Sequence, residues 1–216
     1  AGSYPESVDL SGKSLTLRGD SGALLTTIAP TSSAAAITID SGETDVTIEG
    51  LTLAPSGGGR GLYISGTSPI ITNVVIDGAG TDGSGQGGGG YISAGSPTFE
   101  NVTFRDNFAA MGGDLYITTG ADVSLTNSTL DGGRANFGGS LYVLAATVRL
   151  DNVDSDGASS EHSGGFTYLN NSGALVATNL EVTDTQSDEG HGGTIFAMDH
   201  SVVSWTDGGV DGSTLS

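Results

Sequence analysis

The sequence predicts an all-β chain wound into a parallel solenoid of about eight stacked coils, each made of three short strands. Three observations point there. Glycine is abundant, 37 of 216 residues, and follows no collagen period. Val, Ile, Leu and Thr alternate or cluster over three to five positions and then stop, so no helical period of useful length develops. Two unrelated markers, a glycine doublet and a lone asparagine, recur together at an interval in the mid-twenties.

The doublet opens the first strand of each coil. The segments are GRGLYIS from Gly59, GGGYISA from Gly88, GGDLYIT from Gly112, GGSLYVL from Gly138, GGFTYLN from Gly164 and GGTIFAM from Gly192. Their starts are 29, 24, 26, 26 and 28 residues apart, and AAAITID from Ala34 extends the series backward by 25. The second strand precedes an asparagine and the third follows it. PIITNVVID, PTFENVTF, VSLTNSTL, VRLDNVDS and LVATNLEV place Asn73, Asn101, Asn127, Asn152 and Asn179 between short apolar runs. Gly50 stands at this point before them and Asp207 after them, with steps of 23, 28, 26, 25, 27 and 28. A sharp bend favours a residue that tolerates the left-handed region, which Asn, Gly and Asp all do. Stacked asparagine amides can also bond from coil to coil as a ladder. Strand alternation directs Leu115, Ile117, Val123 and Leu125 inward. A single coil cannot bury its apolar face alone, whereas stacked coils spaced by ~4.8 Å give every strand two partners.

Charge narrows the partners. Asp and Glu number 25 against 6 Lys and Arg, a net charge of -19. Such a surface repels phosphate backbones and anionic lipid, so nucleic acid is excluded as an expected partner. No stretch approaches the ~18 apolar residues of a membrane span, and membrane insertion is not expected. There is no cysteine, hence no disulfide or thiolate chemistry. The chain starts on Ala1 inside what reads as a first coil and stops on DGSTLS just after a third strand. The expectation is one domain, residues 1–216, forming a segment of a longer chain, with both end coils uncapped.

These residues resemble the right-handed parallel β-helix of the pectate-lyase type, in which an asparagine ladder marks one turn. YPESVDLSGKSLTLRG, Tyr4 to Gly19, is similar to the opening coils of such proteins. FRDNFAAMGGDLY, Phe104 to Tyr116, is similar to the F-x-x-N and G-G-A-I repeats of polymorphic outer-membrane proteins and autotransporter passengers. Phe104, Asn107, Gly112 and Gly113 match that pattern, and Asp114 replaces its alanine. The resemblance implies a secreted or cell-surface location. GHG, Gly190 to Gly192, resembles the histidine motif of polygalacturonases, with Asn152 and Asp154 in N-x-D form. Their D-D pair and R-x-K motif are missing.

The positions open to chemistry lie between the third strand and the next doublet, in GAGTDGSGQ, DNFAAM, DGGRANF, DGASSEHS and TDTQSDEGH. These read as loops that stack into one variable surface. Glu161 and His162 should fall one coil from Asp188, Glu189 and His191, a set able to bind a divalent metal or support acid–base work. The bland alternative is solvated loops. Asp77, Asp106, Asp131, Asp156 and Asp184 recur after the third strand, and calcium at Asp106, Asp131 and Asp156 competes with a plain role as turn residues. GTDGSGQGGGG is loosely like calcium-binding nonapeptides, in a different order. Arg105 and Arg134 should approach on adjacent coils and relieve repulsion from Asp106 and Asp131. Tyr63, Tyr116, Tyr142, Tyr168 and Phe196 share one register and read as an outward aromatic ladder, either a surface-binding stripe or simple stacking.

The functional expectation is a secreted or cell-surface structural or adhesive β-helix: a stalk, an adhesin segment or a fibre subunit, without catalysis or cofactor. Its expected partners are other copies through the end coils, or cell-surface glycans. The alternative is a polysaccharide lyase or hydrolase using Glu161, His162, Asp188 and His191.

Overall fold

The computed structural model describes residues 1–81 and 85–215, so the centre of GTDGSGQGGGG lies outside the described residues. The fold is an all-β parallel solenoid of about eight turns, and every strand pairing is parallel. Three sheets run along it. Sheet 1 has eight strands, from Val8–Asp9 through Leu115–Thr118 and Leu141–Leu144 to Ile195–Ala197. Sheet 2 has thirteen, because it contains both limbs of the asparagine bend. In the earlier coils the limbs are separate strands, such as Thr98–Glu100 and Thr103–Arg105. In the later coils one strand passes through the bend: Asp122–Asp131, Thr147–Asp156, Ala174–Thr183 and Val202–Asp211.

Sheet 3 adds strands beyond the one after the glycines and the two limbs of the bend. Arg134–Phe137, Ser159–Ser163, Gln186–Ser187 and Thr214–Leu215 pair in parallel where loops were expected. Single bridges extend it to Gly80 and Phe108 on one row and to Gln86 and Met111 on the next.

Alternation builds the core. Leu115, Ile117, Val123 and Leu125 are completely buried, stacked on the equivalents of neighbouring coils. Phe99 and Phe104 fill the space inside the bend, ring centroids 5.7 Å apart. Each buried aliphatic side chain contributes roughly 1.5–3 kcal/mol, and none could do so from an isolated coil.

Left-handed positions recur at several corners of each coil, two of them flanking the second limb of sheet 2. At the bend, Asn73, Asn101, Asn127, Asn152, Asn179 and Asp207 have φ between 50° and 56°, and Gly50 has φ 66°. Asn101 Nδ2 donates to Asn73 Oδ1, Asn152 Nδ2 to Asn127 Oδ1 at 2.8 Å, and Asn179 Nδ2 to Asn152 Oδ1 at 2.6 Å. The step between Asn101 and Asn127 is bridged through Ser128, whose hydroxyl accepts from Val102 N and donates to Thr126 O. The second left-handed row is Gly78, Asp106, Gly132, Gly157, Asp184 and Gly212, where the chain leaves sheet 2 for sheet 3.

Candidate functional site

The polar residues between sheet 2 and sheet 1 are ordered by coil-to-coil hydrogen bonds. Asp188 N donates to Ser160 O and Glu189 N to Glu161 O, which sets Glu161 and Asp188 side by side on successive coils. Both carboxylates face solvent. The histidines do not join them. The His162 ring lies against Phe137 at 5.0 Å, with Nδ1 3.7 Å from Glu189 Oε2. His191 lies against Phe196 at 6.2 Å. The glycine of GHG that precedes the histidine has a backbone reason. A Cβ on Gly190 would overlap His162 O of the previous coil, so only glycine permits the approach. Among the described residues, no three His, Asp or Glu side chains converge as a metal site.

The aspartates after the third strand divide between two rows. Asp77, Arg105, Asp131 and Asp156 stack in direct register, whereas Asp106 sits one residue later, in the left-handed row with Asp184. Asp106 therefore does not stack with Asp131 and Asp156 as the spacing suggested. Arg105 is committed to the preceding coil: its Nε donates to Asp77 Oδ1 at 3.0 Å and its Nη2 to Oδ2 at 2.7 Å. That bidentate pair raises the guanidinium pKa. Thr183 Oγ1 donates to Asp156 Oδ1 at 2.7 Å.

The aromatic ladder on the outer face of sheet 1 is longer than the sequence reading gave. Tyr63, Tyr91, Tyr116, Tyr142, Tyr168 and Phe196 stack with centroids 4.9–5.4 Å apart. Tyr91 was overlooked because Gly87 to Gly90 offer two registers. Gly90 pairs with Leu115, which moves that coil by one residue from the doublet alignment and brings Tyr91 opposite Tyr116. The central rings are covered: Tyr116, Tyr142 and Tyr168 are 5%, 8% and 9% exposed, packed with Met111, Phe137 and Leu144. Arg60 lies over Tyr63 and Tyr91 at 5.7 and 5.4 Å.

Sequence reasoning missed a buried polar pair inside the coil. Asn107, just after the chain leaves sheet 2, and Asp114, just before it enters sheet 1, are fully buried and seven residues apart. Asn107 Oδ1 accepts from Ala79 N, and its Nδ2 donates to Ile76 O and to Asp114 Oδ1 at 2.9 Å. Ser140 Oγ is an electrostatic neighbour of the carboxyl, but Asp114 Oδ2 has no partner with hydrogen-bond geometry among the described residues. Burial pushes the Asp114 carboxyl up to about 7, against the pull of the Asn107 amide and the Ser140 hydroxyl and with a small push from Asp131 and Asp106. The signal for this pair was the F-x-x-N-…-G-G-D spacing itself, read only as a departure from a repeat.

The outer face of sheet 3 carries a shallow open groove of about 310 Å³. It crosses successive coils from Thr81 through Phe108, Arg134 and Ser159 to Glu161 and Asp188. No family model, curated protein or solved structure compared with this chain matches it.

Proposed function

We propose that the chain is a rigid, non-catalytic β-solenoid module of a secreted or cell-surface protein, serving as a stalk or adhesive segment. The observation that carries this reading is the separation of the reactive side chains. His162 and His191 turn toward Phe137 and Phe196, while Glu161 and Asp188 face solvent. The side chains that recur on nearly every coil are occupied in holding coils together, as bend amides and stacked rings. Within this reading the coil belongs with the right-handed, pectate-lyase-like solenoids and is comparable to autotransporter passenger repeats. The bend ladder and the three-sheet cross-section support that placement.

The test is incubation of the chain, and of a Glu161→Gln/Asp188→Asn double variant, with neutral and acidic polysaccharides. New reducing ends and unsaturated products are then measured. The expected result is no product above that of the double variant. Product release that needs Glu161 and Asp188 would make the protein an enzyme and end the reading.

A further inference from the structure

We propose that the groove on sheet 3 is a binding site for a short oligosaccharide carrying a single carboxylate, with Phe108 and Arg134 as its anchors.

Three features of the groove support this. First, Phe108 is 42% exposed, although it sits on an ordered bridge between Gly80 and Arg134. Its ring lies against Gly80, where a Cβ would collide with the ring atoms, so the ring is seated on backbone while part of it stays open to the groove. An exposed ring seated on backbone can serve as a stacking platform for an apolar sugar face. Second, Arg134 is on the adjacent coil. It makes no ion pair among the described residues, whereas Arg18, Arg105 and Arg149 each pair with an aspartate. In a chain of net charge -19, an unpaired guanidinium stands out as a carboxylate receptor. Third, Asn136, Glu161 and Asp188 extend the groove with an amide and two carboxylates, groups suited to sugar hydroxyls.

The ligand class follows from what the groove does not offer. An extended peptide binds a sheet by its edge, through backbone hydrogen bonds. Here the ligand meets a sheet face, whose backbone groups are used between coils: Ser159 N to Gly133 O, Asp188 N to Ser160 O. Recognition must run through side chains, along a track of about 19 Å over four coil steps. Glu161 and Asp188 at one end repel a polyanion, while Arg134 attracts one charge near the middle. A mainly neutral glycan with one acidic unit satisfies both.

The row itself varies in chemistry. Gly80, Phe108, Arg134, Ser159, Gln186 and Thr214 occupy one register and no residue type is used twice. The bend row and the tyrosine row, by contrast, repeat their residue.

The experiment is titration calorimetry of the full chain with three probes: lactose, 3′-sialyllactose and tri-galacturonate. The expected order of affinity is 3′-sialyllactose, then lactose, then tri-galacturonate. Arg134→Gln should weaken 3′-sialyllactose by about tenfold and bring it level with lactose. Phe108→Ala should weaken both by about three- to tenfold. Both substitutions are at the surface, and unchanged thermal unfolding would show that the coil is intact. Tightest binding of tri-galacturonate, binding indifferent to both substitutions, or no binding of any probe at millimolar concentration would overturn the proposal. None of these outcomes bears on catalysis, which the product assay above decides separately.

Discussion

Replacing Asp114 by asparagine should make the protein more stable at neutral and alkaline pH, and hardly change it in acid. The carboxyl is fully buried and is pushed from 3.8 to about 7, with burial as the main cause. A folded-state pKa above the unfolded value means that the folded chain holds the proton more tightly. The stability this group allows is therefore complete below pH 3.8, declines as pH rises, and is lost once pH passes about 7. At 1.36 kcal/mol per pH unit, a shift of roughly three units corresponds to about 4 kcal/mol at pH 8. Asparagine keeps the oxygen that accepts from Asn107 Nδ2 and puts a neutral donor in place of the unpartnered Oδ2 beside Ser140. The variant should then recover much of that energy at pH 8. For a chain of this length it corresponds to a rise in Tm of about 10 °C. Unfolding of both proteins is followed by circular dichroism from pH 4 to pH 8. Lower pH also relieves the general repulsion of a chain with 25 acidic residues, but that effect is common to both proteins and cancels in the difference. A Tm difference that does not grow between pH 5 and pH 8, or a variant less stable at pH 8, would show that the carboxyl is not held neutral by its surroundings.

Three further outcomes are expected. Asn152→Ala loses both ladder bonds and places alanine at φ 55°, whereas Asn152→Gly loses the bonds alone; urea unfolding should show the alanine variant less stable by about 1–2 kcal/mol. Tyr142→Ala removes a ring stacked on both Tyr116 and Tyr168 and should cost about 3–5 kcal/mol in the same assay. Gly190→Ala forces a Cβ into His162 O and should open the last coils to protease near Gln186–Ser187 while earlier coils stay protected, as neighbour-only contacts require.

The sequence made the solenoid readable because two demands admit few residue types. A left-handed bend takes Asn, Asp or Gly, and an inward strand position takes Val, Ile, Leu or Phe; both recur once per coil. Sheet 3 escaped because its inward positions are small residues, Ala135 and then serines. Ser160, Ser163 and Ser187 are buried, so RANF, SSEHS and QS show no apolar alternation. Its strands are ordered by the sheets on either side rather than by their own propensity. Tyr91 was hidden by four consecutive glycines that allow two alignments. Asp114 was hidden for a different reason: a buried aspartate and a solvated one look alike until its partner is known, and Asn107 becomes that partner only when the coil closes. Asp106, Asp131 and Asp156 do not share one row because one residue of offset, Asp106 against Asp131, moves a side chain from a strand to a turn.

In a stacked coil the side chains of one row face one another at a fixed spacing, so a row whose task is stacking gains from identity. Amide meets amide and ring meets ring, and each added copy satisfies two neighbours. A row whose task is to meet something else has no such constraint, because its partner does not repeat with the coil. The bend row of this protein holds five asparagines, and the ring row holds five tyrosines and a phenylalanine. The sheet-3 row runs from Gly80 to Thr214 with six different residues, joined by single bridges at Gly80 and Phe108 and by strand pairing from Arg134 onward. Function in such a chain should therefore be sought on exposed rows whose side chains do not repeat. On that criterion Phe108 and Arg134 rank ahead of the more conspicuous histidines, whose rings are already engaged by Phe137 and Phe196. The criterion is open to test through His162→Ala/His191→Ala: glycan binding that collapses in this double variant, with the fold intact, would place the site on the aromatic row instead.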